Sequence, residues 1–327
     1  MVRDRLTVDS PAGGAGATSS PVRLESVILV QAMDRPKIEI RFYETYYLAN
    51  IARNILHDQG SFLRGLDDFY GDDKYLGLVR PFRRYSALHA FIYHITAEVI
   101  LEATMDLPIE DRQDLAENFK KIPAALADIR PSRLPINEAL DHHRIEHVGF
   151  EDFLRERNSS FADATQDDVY DYVNELRLEG PVEELLDRMV QEVFFVVFQN
   201  RGLLLLFNDM IAGLVKGTDP ESVAEPEIRV LFTRRGRLRR VSPPRWVRRA
   251  VFYRDRGLCV LCHSDLSGLV SAWPSENFDH IVPLESGGLN DVSNIQLLCG
   301  PCNGRKAAGK AATTDVYEAW YPAAGDR

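Results

Sequence analysis

Apolar residues recur every three or four positions through much of the first two thirds of the chain. Ile40, Tyr43, Tyr47, Ile51 and Ile55 trace one helix face, and Leu88, Phe91, Ile92, Ile95 and Val99 trace a second that runs out before Met105. Residues 113–122, 167–178 and 182–191 carry shorter amphipathic patterns and predict further helices. Pro181 suits a first helical turn, where its missing N–H costs nothing. The short apolar run 27–30 reads as a strand. Residues 193–207 are almost continuously apolar, but Gln199, Asn200, Arg201 and Gly202 break the run. Neither half approaches the roughly 20 residues that span a bilayer, so a buried central helix pair is expected and no membrane partner.

Punctuation divides the chain. Residues 1–24, rich in Gly, Ser and Pro, read as a flexible tail, and residues 25–220 as a mainly α domain. Composition shifts to Thr, Asp, Pro, Glu and Ser across 217–226, which marks a boundary. Beyond it, 228–233 and 237–241 flank Arg234-Arg235-Gly236 as a predicted hairpin, and 246–253 reads as a short helix. No fixed-period repeat is visible, which excludes a solenoid. A length of 327 residues, 45% hydrophobic and 27% charged, fits a globular protein of two domains and excludes disorder over the whole chain.

Charge sharpens the division. Residues 1–225 hold 24 Lys and Arg against 39 Asp and Glu, a net −15, whereas residues 226–327 hold 15 against 10, a net +5. Eleven arginines and a single acid, Asp255, lie between Arg229 and Arg256. Such asymmetry suits a polyanion bound by the C-terminal part alone.

All four cysteines fall into two C-x-x-C pairs, Cys259 with Cys262 and Cys299 with Cys302, leaving none for a disulfide framework. That grouping suits metal ligation in a reducing compartment, and with no apolar leader in residues 1–23 a cytoplasmic protein is expected. Four thiolates complete a tetrahedral zinc site with no open position, so the ion would be structural. The 36 residues between Cys262 and Cys299 exceed a simple ribbon and imply a folded insert.

That insert carries Asp279-His280-Ile281-Val282-Pro283, a Gly287-Gly288 turn, and Asn294-Ile295-Gln296-Leu297-Leu298 running into Cys299 and then Asn303. A strand, a loop, a strand and a helix beginning near Pro301 would gather Asp279, His280 and Asn303. The pattern resembles the HNH endonuclease family over about residues 245–310, roughly a fifth of the chain. The resemblance implies a small α+β module of the ββα-metal type within residues 227–327, with His280 as general base, its ordinary pKa of about 6.5 lying near working pH. It implies that Asp279 and Asn303 hold a divalent ion and that Asn294 pins the loop and orients His280. Asn303 stands where many relatives have histidine. Its oxygen donor favours Mg2+ or Mn2+ over softer metals.

The implied substrate is double-stranded DNA, cut to 5′-phosphate and 3′-hydroxyl ends, with restriction or phage defence as a role. Arg245, Arg248, Arg249, Arg254 and Arg256, interleaved with Trp246, Phe252 and Tyr253, form a candidate backbone-binding patch, joined by Arg305 and Lys306 on the final helix. A zinc-stabilised nucleic-acid-binding protein without catalysis, and an RNA endonuclease, are the alternatives. The acidic helical domain is expected to bind a protein partner or trigger, or to occlude the basic nuclease, in which case a fragment from Pro226 should cut faster. His142, His143 and His147 could ligate a metal but read more simply as a solvated helix face, and His263 as a surface residue of the first knuckle.

Overall fold

A computed structural model describes residues 38–119, 131–267, 277–306, 310–317 and 319. The tail 1–24, the strand expected at 27–30 and residues 120–122 lie outside the described set. The chain divides into residues 1–39 and 40–327, and the second unit holds every element named below.

The helices are α1 (Thr45–His57), α2 (Leu63–Tyr70), α3 (Ala87–Met105), α4 (Ile109–Phe119), α5 (Pro135–His142), α6 (Phe150–Glu156), α7 (Gln166–Glu179), α8 (Pro181–Val197), α9 (Arg201–Lys216), the short turn α10 (Pro226–Arg229), α11 (Arg245–Arg254) and α12 (Gly300–Lys306). Local chemistry sets their ends. Ser86 accepts from His89 N–H to start α3, and Thr165 accepts from Asp168 N–H to start α7. Gly180, at φ 104°, closes α7 in a left-handed conformation, and Pro181 opens α8. Asn200 Oδ1 accepts Leu203 N–H at 3.1 Å to cap α9.

α3 packs along α8, with α1, α5 and α7 around them. The Glu192 carboxylate, buried on α8, accepts the backbone N–H of Arg41 and Phe42 and the Thr45 hydroxyl, at 2.6, 3.0 and 2.7 Å. It thereby satisfies donors at the entry to α1. α8 and α9 meet at a bend of 112°, and no single helix among the described residues is long and apolar enough to cross a membrane. Both helices bury their apolar faces in the core, as the interrupted run 193–207 implied.

Two strands, β1 (Phe278–His280) and β2 (Ile295–Leu297), pair antiparallel with His280 opposite Ile295 and Asp279 opposite Gln296. The loop joining them is largely buried against the helices, apart from the turn at 284–286. Gly287, at φ 93°, lies against α9 so closely that an added Cβ would stand 2.3 Å from Ala212 O. Asn208 Nδ2 donates to Ser293 Oγ at 3.2 Å, and Phe82 N–H donates to Asn290 O at 2.8 Å. Asp291, fully buried, accepts the first N–H of α3 from Ala87 at 3.0 Å. The mainly α scaffold and the small α+β module thus share one core.

The segment 228–241 departs from a regular hairpin. Pro226 nucleates the helical turn α10, which consumes Ile228 and Arg229, and pairing shrinks to a Phe232–Leu238 bridge turned at Gly236 (φ 73°). Of the His142, His143 and His147 cluster, His142 is exposed as expected of a solvated face, His147 is half-buried and only His143 turns inward. His143 is buried with its ring 6.2 Å from Tyr43, while His142 Nε2 and His147 Nδ1 lie 3.0 Å from backbone oxygens of Arg41 and Ile145. Among the described residues the four cysteines are the only group of three or more His, Cys, Asp or Glu placed to share a metal ion.

Candidate metal centre and active-site cleft

The two C-x-x-C turns converge. The sulfurs of Cys259, Cys262, Cys299 and Cys302 all lie within 4.8 Å of one another, with Cys262 and Cys299 3.6 Å apart. A tetrahedral zinc with Zn–S near 2.3 Å sets sulfur–sulfur edges at about 3.8 Å, so the set fits the ion. The first knuckle closes through His263 N–H to Cys259 O at 2.8 Å, with His263 left-handed (φ 58°) and exposed. Backbone bonding of Val260 N–H to Leu297 O, 3.0 Å, ties that knuckle to β2. The metal would therefore brace the strand pair that carries Asp279 and His280.

Asp279, His280, Asn303 and Gly304 line one side of a cleft of about 670 Å3, with Pro283, Leu284 and Glu285 beside them. Thr233, Arg235, Arg237, Leu238, Arg239 and Arg240 form the rest of its lining. No residue before Thr233 lines it, so among the described residues the acidic helices do not cover the cleft. The helices contact the β1–β2 loop instead.

His280 is buried at 3% exposure, and its Nε2 lies 3.3 Å from Asn290 Oδ1. Burial, with help from the Arg240 guanidinium, pushes its pKa down to about 4 against the opposing pull of Asp279. The ring is therefore neutral near pH 7 and able to accept a proton. Asp279 keeps Oδ2 buried without a hydrogen-bond partner, although Lys306 Nζ lies 2.8 Å away in an ion pair. The hard oxygen donors of Asp279 and of the Asn303 amide line the same cleft, a donor set that suits a divalent cation.

Asn294 is wholly buried and does pin the loop. Its Oδ1 accepts Val282 N–H at 2.8 Å, and its Nδ2 donates to the Val282 and Leu289 carbonyls at 3.0 and 2.9 Å. The contact with the His280 ring is made by Asn290, while Asn294 acts on the backbone two residues further on, at Val282.

The expected phosphate-binding arginines are placed less favourably. None of Arg245, Arg248, Arg249, Arg254 and Arg256 lines the cleft. Arg245 and Arg256 are exposed, Arg248 buries its Nε, and Arg249 lies 5.6 Å over the Tyr253 ring. Arg254 is buried, bonded to the Asp255 carboxylate at 2.8 and 2.9 Å and to Ile295 O at 2.6 Å, and its guanidinium lies 5.0 Å from the Phe198 ring. It is a structural strut. Lys306 is buried too, held by His280 O at 2.7 Å and by Asp279, while Arg305 donates to Cys302 Sγ at 3.0 Å. Sequence reasoning missed Asn290 and the cleft arginines. The arginine run was visible, but the alternation that aims some of it at the cleft was not.

Two short antiparallel strands, a following helix and a four-cysteine brace define a zinc-knuckle ββα module. Residues 259–309 match the model of the HNH endonuclease family, and this C-terminal stretch is an HNH endonuclease domain. No curated protein and no solved structure matches the chain.

Proposed function

We propose that the protein is a metal-dependent endonuclease that hydrolyses phosphodiester bonds of double-stranded DNA. The observation that carries this reading is a single cleft lined by a neutral imidazole, a carboxylate, an asparagine amide and four arginines. Asp279 and Asn303 would hold Mg2+ or Mn2+, and the ion, when bound, would polarise the phosphate and stabilise the leaving oxygen. His280 takes the proton of the attacking water, which its neutral state allows. Arg235 and Arg240 are exposed on the cleft wall and would meet backbone phosphates, while Arg237 is paired with Glu285. The thiolate brace requires a reducing compartment, which suits the cytoplasm.

The test uses plasmid DNA and a matched RNA with the zinc-loaded full chain, with Mg2+ or with chelator. Cleavage of DNA by wild type, lost in His280→Ala and Asp279→Ala with DNA binding retained, is the expected result. Binding without nicking by wild type would instead support a non-catalytic nucleic-acid-binding protein, and preference for the RNA would reassign the substrate.

A further inference from the structure

Asn290 is the side chain that meets the imidazole, and its own bonds determine which way its amide faces. Val241 N–H can only donate, and it reaches Asn290 Oδ1 at 3.2 Å. Arg239 O can only accept, and it receives Asn290 Nδ2 at 2.9 Å. Flipping the amide would set N–H against N–H at Val241 and oxygen against oxygen at Arg239, leaving backbone groups unpaired at a residue only 4% exposed. The atom 3.3 Å from His280 Nε2 is therefore an acceptor.

We propose that Asn290 is a positioning residue that holds His280 as its Nε2–H tautomer, leaving Nδ1 as the atom that takes the proton. A neutral imidazole carries one N–H, so a ring that donates from Nε2 has its lone pair on Nδ1. Among the described residues no hydrogen bond is made to Nδ1. The same asparagine registers two further parts of the molecule. Its side chain grips the arginine-rich segment at Arg239 and Val241, and its carbonyl accepts Phe82 N–H from the helical scaffold at 2.8 Å. Imidazole, arginine-rich segment and scaffold are thus set by one residue. The proposal deepens the reading of His280 as the base and rests on it.

The experiment is 15N NMR of the full, zinc-loaded chain labelled at histidine ring nitrogens, with the His280 signals assigned by their loss in His280→Gln. Wild type is expected to show the Nε2–H tautomer. Asn290→Leu, which removes acceptor and donor, should give a tautomer mixture and lower kcat at least tenfold, with KM changing less. Asn290→Asp keeps the acceptor and should restore the Nε2–H tautomer and much of kcat. An Nδ1–H ring in wild type, or an unchanged tautomer in Asn290→Leu, would overturn the proposal. If Asn290→Leu loses its zinc or its folding transition, the wild-type and Asn290→Asp spectra still decide. The spectra need no substrate, so an inactive wild type with the expected tautomer would sink the nuclease reading alone.

Discussion

Cutting the chain at Pro226 separates the two ways in which the acidic helices could affect the nuclease module. If they shielded it, the fragment 226–327 would cleave faster; if they complete its core, the fragment should fail. Three hydrogen bonds cross the cut into the β1–β2 loop: Phe82 N–H to Asn290 O, Ala87 N–H to the Asp291 carboxylate, and Asn208 Nδ2 to Ser293 Oγ. A neutral bond contributes about 1 kcal/mol net and one to a charged acceptor about 1.5–3, so these alone contribute on the order of 4 kcal/mol. Asp255 also loses Arg201, whose Nη1 lies 3.6 Å from its Oδ1. Leu289 and Val292, at 1% and 2% exposure, would face water on the side the helices now cover. The hydrogen bonds alone approach the lower end of the 5–15 kcal/mol that holds a typical domain together, and the ion pair and exposed apolar surface add to them.

The fragment should therefore melt without a sharp transition in circular dichroism. It should nick plasmid at least tenfold more slowly than the full chain at equal zinc content. A fragment that melts cooperatively and nicks as fast as the full chain would refute this account of the shared core.

Further outcomes are expected. Cys302→Ser should lower bound zinc, read by metal analysis, and lower Tm; full zinc and an unchanged Tm would count against a four-thiolate brace. Arg235→Ala with Arg240→Ala should raise KM and flatten the dependence of log binding on log salt by roughly one contact each, with kcat little changed. Arg254→Ala should instead cost up to about 3–5 kcal/mol of stability by leaving buried Asp255 with only the more distant Arg201, 3.6 Å away, as a cationic partner, with the salt slope unaltered. Equal salt slopes in the two cases would remove the distinction between them. His89 is buried against Phe194, rings 3.7 Å apart, and burial pushes its pKa from 6.5 down to about 4. Its contribution is whole above pH 6.5 and is lost as pH falls from 6.5 towards 4, about 3 kcal/mol in all. Urea unfolding at pH 7 and pH 4 should show a smaller acid loss in His89→Gln, and an identical loss would contradict the assignment.

The helices were legible because a buried face imposes its period on the sequence, and the break at Gln199 to Gly202 falls where α8 gives way to α9. The ββα module was legible for a different reason: four thiolates around one ion confine the chain so tightly that Asp279, His280 and Asn303 must lie close by. What stayed hidden depends on contacts remote in sequence. Arg254 looks like its neighbours until Phe198 and Ile295 O close around it, and Lys306 looks solvated until Asp279 and His280 O claim it. Asn290 and Asn294 are the same residue four positions apart. Only the approach of Arg239 and Val241, some fifty residues earlier, gives the first the imidazole and leaves the second the loop. Net charge misled for a related reason. A net −15 over residues 1–225 argues for repulsion between polyanion and surface, yet charge is carried mostly by exposed groups. The surface that meets the nuclease loop is built largely of neutral ones, the Phe82 and Ala87 amides, the Asn208 side chain and the Ala212 backbone. An acidic exterior and a core shared with a basic module are therefore compatible, and the exterior constrains only what may approach from solvent.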